Sequence, residues 1–185
     1  MTSEFNDHIE KFINSLNENL PEIYYQAFDF SNVNDSRTQL MQLNYDKNKV
    51  SFLNLEMIAD MFQVFTAVHS ALETNSSKDF GVEVPHRLSN TRSIGDSLRT
   101  FGGYGKPYVI VISVHDRLQS EELFEKINQI ENVTKMTKEQ MQQCMTKNID
   151  NIRRYYFGTT SDQEQATYQN PIGEIVTKMV SSKNV

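Results

Sequence analysis

Tyr108 to Val114 (YVIVISV) is the longest apolar run of the chain, and five of its seven residues are β-branched. So continuous a run suits a strand covered on both faces, central in its sheet. The residues before the run read as helix and then glycine break. Asn90 or Thr91 can cap a short helix. Ile94, Leu98 and Phe101 then share one face, and Arg92, Asp96 and Arg99 another. Gly102-Gly103 stops that helix, as expected of glycine in the left-handed position after a helix end. Gly105-Lys106-Pro107 prolongs the break. After the run, His115-Asp116 leaves the strand and Ser120 caps the next helix.

The remaining periodicities are mostly helical. Phe5, Ile9, Phe12, Ile13, Leu16 and Leu20 make one apolar stripe. Glu22 to Phe30 is aromatic-rich and reads equally as a second helix turn or a strand. Gln39 to Leu53 reads as a hairpin, with Met41, Leu43 and Tyr45 alternating, a turn at Asp46-Lys47-Asn48, and Val50 and Phe52 alternating back. Asn54 caps a helix Leu55 to Glu73. Phe80 to Val84 reads as a short edge strand ending at Pro85. Glu121 and Glu122 suit the positive end of a helix reaching about Glu131. Thr137 with Gln140 is a capping-box pattern, opening a long helix to about Phe157 that Gly158 stops. The segment 159–169 is polar, and Asn170-Pro171 opens a final amphipathic helix carrying Ile172, Ile175, Val176 and Met179. The expected fold is therefore α+β and predominantly helical. It has five or six helices and a small, mainly antiparallel sheet built from about 39–53 and 107–114. Residues 1–185 read as a single globular domain: a chain of 185 residues buries roughly 70% of its unfolded surface.

Charge is uneven. The net charge of −6 comes wholly from residues 1–36, which hold seven acids and one base; the rest has 17 of each. Within the neutral part, Arg87, Arg92, Arg99 and Lys106 cluster against Asp96 alone. With Tyr104 beside them they form a candidate surface for RNA or single-stranded DNA, where cations meet phosphate and an aromatic stacks on a base. Arg153 and Arg154, followed by Tyr155-Tyr156-Phe157, make a second such group. The alternative for both is solvated or intersubunit salt-bridged arginine. The aromatics Ile23 to Phe30 suit either a protein contact or plain core packing.

Several chemistries are excluded or left without support. One cysteine, Cys144, rules out an internal disulfide framework and a multi-cysteine zinc site. It lies among Met141, Met145 and Ile149, as a small buried hydrophobe does. Gly102-Gly103-Tyr104-Gly105-Lys106 lacks the P-loop pattern and its strand-then-helix order. His8, His69 and His86 have no metal-ligand spacing, and His69 falls on an apolar helix side as a hydrogen-bonded core histidine would. No run approaches the roughly 20 apolar residues of a membrane span. No cofactor is implied, and an intracellular, cytoplasmic location is expected. The reading is a non-enzymatic assembly or binding protein, with a protein partner or further copies of itself and with RNA or single-stranded DNA as a further ligand. A viral or mobile-element source is suggested by the Asn-, Ser- and Met-rich composition alone. One alternative is a small hydrolase or nucleotide-modifying enzyme with its site at His115 and Asp116, where the central strand ends. Another is an adaptor or inhibitor acting through the acidic N-terminal region.

Overall fold

The computed structural model describes residues 21–74, 79–158 and 171–182. In chain order these form β1 (Tyr24–Asp29), α1 (Ser36–Gln42), β2 (Val50–Asn54), a 3-10 turn (Leu55–Met57), α2 (Met61–Glu73), α3 (Phe80–Leu88) and α4 (Ile94–Phe101). They continue with β3 (Tyr108–Ser113), α5 (Arg117–Asn128), β4 (Thr134–Lys135), α6 (Lys138–Lys147), α7 (Ile149–Phe157) and α8 (Pro171–Ser181). The fold is α+β, with eight α-helices around one antiparallel sheet among the described residues.

The sheet order is β2-β3-β1-β4, so the apolar run is an interior strand, as expected. β3 pairs antiparallel with β1 through Gln26 opposite Val111, and with β2 through Phe52 opposite Val111. Successive side chains of a strand point to opposite faces. Ile110 and Ile112 therefore enter a larger core with Leu53, Val64, Val68, Phe101 and Ile152. Val109 and Val111 enter a smaller one with Phe28, Leu40, Phe52, Leu123 and Ile127. α2, α3, α4, α6, α7 and α8 cover the first face, and α1 with α5 the second. Each fully buried valine or isoleucine of β3 contributes about 1.5–3 kcal/mol relative to exposure.

Several stretches depart from their sequence pattern. Glu22 to Phe30 contains the strand β1 (Tyr24–Asp29), and Phe28 with Phe30 just after it are core residues rather than contact aromatics. The first arm of the expected hairpin is α1. Asp35 caps it by accepting the Thr38 N–H at 3.2 Å. Leu40 is buried while the neighbouring Met41 faces out, so the alternation there is not a pleat. The turn stands: the Asp46 carboxylate and carbonyl accept the N–H groups of Asn48 and Lys49 at 2.9 and 3.0 Å. Asn54 caps only the 3-10 turn, and the helix restarts at Asp60, whose carboxylate accepts the Phe62 N–H at 2.8 Å.

Phe80 to Val84 belongs to α3, not to an edge strand. Pro85 deletes one of its hydrogen bonds, but the helix is anchored on either side. Val82 and Glu83 donate to the Asp79 carbonyl, and Glu83 pairs with Arg87 one turn on. Asp116, not Ser120, caps α5, accepting the Gln119 N–H at 2.9 Å; Ser120 is buried with its hydroxyl 2.8 Å from that of Ser113. The Thr137–Gln140 capping box is present. The long helix it opens is broken at Asn148 into α6 and α7, and Gly158 ends α7 with φ 77°. The stripe Phe5 to Leu20 and the segment 159–169 lie outside the described residues.

Candidate functional site

α4 turns its apolar side toward the body, and of Ile94, Leu98 and Phe101 only the first, at the helix start, is exposed. Ser93 caps it, accepting the Asp96 N–H at 3.2 Å. At the other end Gly102 N–H closes on the Leu98 carbonyl and Gly103 N–H on Phe52 of β2, both at 2.9 Å. Ser97 and Phe101 point inward and are fully buried. Ile94 and Leu98 share that side of the helix, but Leu98 is half-buried and Ile94, at the helix start, reaches past the body. Ile94 is 38% exposed, and neither residue joins either core. The expected burial of Ile94 and Leu98 with Phe101 therefore holds only for Phe101.

α7 lies beside this helix. The Asn90 side-chain amide donates to the Tyr155 carbonyl at 3.1 Å, and the rings of Phe101 and Tyr155 meet edge to face at 5.3 Å. This contact sets the loop of Arg92 against the helix that carries Arg153 and Arg154. Arg92 and Arg154 are exposed. Arg99 and Arg153 make surface pairs with Asp96 at 3.0 Å and Asp150 at 3.7 Å. Pairs of that kind are worth at most about 1 kcal/mol and exchange readily for a partner's acids. Ile94 thus stands between Arg92 and Arg99 in the chain, with the Arg153–Arg154 helix joined to the same loop through Asn90.

The other expected contact residues are placed differently. Arg87 is committed: its Nε donates to the buried Glu83 carboxylate at 2.7 Å and its Nη2 to Thr74 at 3.1 Å. Removing one partner of a buried pair is what makes such arginines structural. Tyr104 is not an open stacking platform. Its hydroxyl bonds to that of Tyr45, its ring lies 5.4 Å from that of Phe52, and burial pushes its phenol up. Lys106 belongs to a turn closed by its own N–H on the Gly103 carbonyl, whose Gly105 rests near Arg37.

The catalytic candidates do not converge. Asp116 is a helix cap, and His115 Nδ1 lies 3.0 Å from the Gln119 side-chain oxygen on the same exposed turn. Ser97 Oγ is 3.3 Å from His86 Nδ1, but it is fully buried and donates to the Ser93 carbonyl, so it has no path to a substrate. Among the described residues no group of His, Cys, Asp and Glu could hold a metal ion, and no helix is long and apolar enough to cross a membrane. His69 is half-buried and pairs with Glu73 at 3.3 Å rather than sitting in the core. Cys144 is half-buried, and burial pushes its thiol up to about 11, which keeps it protonated at neutral pH.

One feature has no signal in the sequence. A cavity of about 320 Å³ lies between the end of β1, the 3-10 turn and α6. Asp29, Glu56, Gln140, Cys144 and Lys147 are among its walls. No spacing rule joins residues so far apart in the chain.

An α+β body with an exposed isoleucine at a helix start, flanked in the chain by Arg92 and Arg99, offers a surface for contact with a protein. Its sequence family agrees with such a contact. Residues 29–184 match the model of the family described as kinase binding protein CGI-121, and the chain belongs to that family. No curated protein matches the chain.

Proposed function

We propose that this protein is a binding partner of a protein kinase and that it meets the kinase through the start of α4, where Ile94 is exposed and Leu98 half-buried. The family match carries the reading, because it spans the whole of that helix and the α7 arginines. Ile94 and Leu98 supply the apolar centre such an interface needs, and Arg92, Arg99 and Arg154 supply a polar rim. The kinase surface that fits is apolar and edged with acids. The family's description supports a protein partner; it gives nothing to self-association or to a viral source. The test is calorimetry and light scattering of the full chain with each protein kinase of its own organism. One kinase is expected to form a stoichiometric complex. Ile94→Glu with Leu98→Glu should weaken it by about 30-fold or more, the effect of losing roughly 2 kcal/mol at an interface centre. Absence of a complex with every kinase sinks the reading, and an unchanged affinity in the double variant sinks the surface.

A second reading keeps RNA or single-stranded DNA as a ligand of the same side. It rests on the Asn90–Tyr155 hydrogen bond, which sets Arg92 beside Arg153 and Arg154. Arg92→Glu with Arg99→Glu should then abolish a binding to RNA that weakens as salt rises, because phosphate contacts release counterions. Binding of RNA that is unchanged in that variant removes the arginines from this role.

A further inference from the structure

We propose that the cavity between β1, the 3-10 turn and α6 binds a small zwitterion, a molecule of the amino-acid class that carries one ammonium and one carboxylate. This goes beyond the kinase reading and does not depend on it. The argument begins with charge. Asp29, Glu56 and Lys147 line the same space. Among the described residues, no ion pair joins Lys147 to either carboxylate. Opposite charges that face one cavity without closing on each other leave room for a ligand that carries both. At about 320 Å³ the space is at the small end of ligand cavities, which begin at about 300 Å³.

The polar groups around it are already oriented. One Asp29 oxygen is held by the Ser31 N–H at 2.8 Å, so the second is left to accept an ammonium. The Gln140 side-chain oxygen is held by the Thr137 N–H at 2.8 Å, which leaves its NH₂ to donate. The Asn148 NH₂ donates to the Cys144 carbonyl at 3.0 Å, which leaves its oxygen to accept. The ammonium is thus assigned to Asp29 and Glu56, and the carboxylate to Lys147 with the Gln140 amide. Charged hydrogen bonds to groups held by neighbours are the strong ones. Tyr108 and Met136 add an apolar wall for the carbon chain. Free carboxylate and free ammonium sources differ from a zwitterion in one charge each, which the test exploits.

Cys144 is the chain's one cysteine and lines this cavity, so it reports occupancy. Its alkylation by iodoacetamide is followed in the full chain at about pH 8, where the amino acids are still zwitterions and a small thiolate fraction reacts slowly. The probes are L-glutamine and L-alanine, with n-butylammonium and butyrate as single-charge comparisons, each at millimolar concentration. At least one amino acid is expected to slow alkylation about tenfold, and each single-charge probe to do so about tenfold less well. Glu56→Gln and Lys147→Met should each abolish the protection, with unchanged melting temperatures. No protection by either amino acid overturns the proposal. So does protection that survives in both variants, or equal protection by butylammonium alone, which would make the site a plain cation site.

Discussion

Gln63, Tyr156 and the carbonyl of Leu88 meet inside the larger core with no water-accessible surface to spare. Gln63 accepts from the Ala59 N–H at 2.9 Å and donates to the Tyr156 hydroxyl at 2.9 Å; that hydroxyl donates on to Leu88. Each polar atom is satisfied, which ties α2, the end of α3 and α7 together. Burial pushes the Tyr156 phenol up, so it stays a neutral donor across the accessible pH range. Tyr156→Phe keeps the ring but strands the Gln63 amide and the Leu88 carbonyl. It should cost about 1–3 kcal/mol of stability, read from the urea midpoint; an unchanged midpoint would show that the network does not hold the helices. In the sequence Tyr156 stands in an aromatic run after Arg153-Arg154 and looks like part of a contact surface. The run mixes two helix faces, Ile152 and Tyr156 inward and Arg154 outward, and composition does not separate them. Arg87 misleads for a similar reason, because its charge is visible in the sequence and the burial of Glu83 is not.

At the scale of elements, legibility followed burial. β3 was plain because both of its faces are covered, so nothing in it alternates. Residues Met41 to Tyr45 alternate without being a strand: Met41 ends up in α1, held by the Asp35 cap and the buried Leu40, and Leu43 to Tyr45 lead irregularly into the Asp46 turn. The two-residue β4 is too short for any pattern. The glycine pair after α4 was legible as a break but not in its cause. Gly102 is extended, with φ −68°, rather than left-handed. What Gly103 supplies is clearance: a Cβ there would lie 2.9 Å from the Val109 side chain and 3.0 Å from backbone atoms of both Phe52 and Leu53. Gly95 is the opposite case, with an ordinary helical backbone and nothing nearer than 4.0 Å. Gly103→Ala should therefore lose about 1–3 kcal/mol by overpacking. Gly95→Ala should gain about 0.5–1 kcal/mol by favouring the helix. Thermal melts of the two variants moving in the same direction would contradict this account of the α4 ends.

At the scale of the molecule, what the sequence could not show is what comes together. The cavity joins Asp29, Glu56 and α6, and the loop before α4 meets α7 where Asn90 reaches Tyr155. Neither convergence leaves a spacing in the chain. The α+β class was readable, since it follows from local pattern. The kinase reading joins these scales: an exposed Ile94 and a half-buried Leu98 on α4, anchored by its buried Ser97 and Phe101, in a chain of the CGI-121 family. Hydrogen exchange of the chain alone and bound to its kinase tests this most directly. The account predicts new protection of the backbone amides of α4 and of the turn around Arg92, with α1 and α5 on the far side of the sheet unchanged. Protection confined to α1 and α5, with α4 exchanging as freely as before, would contradict it.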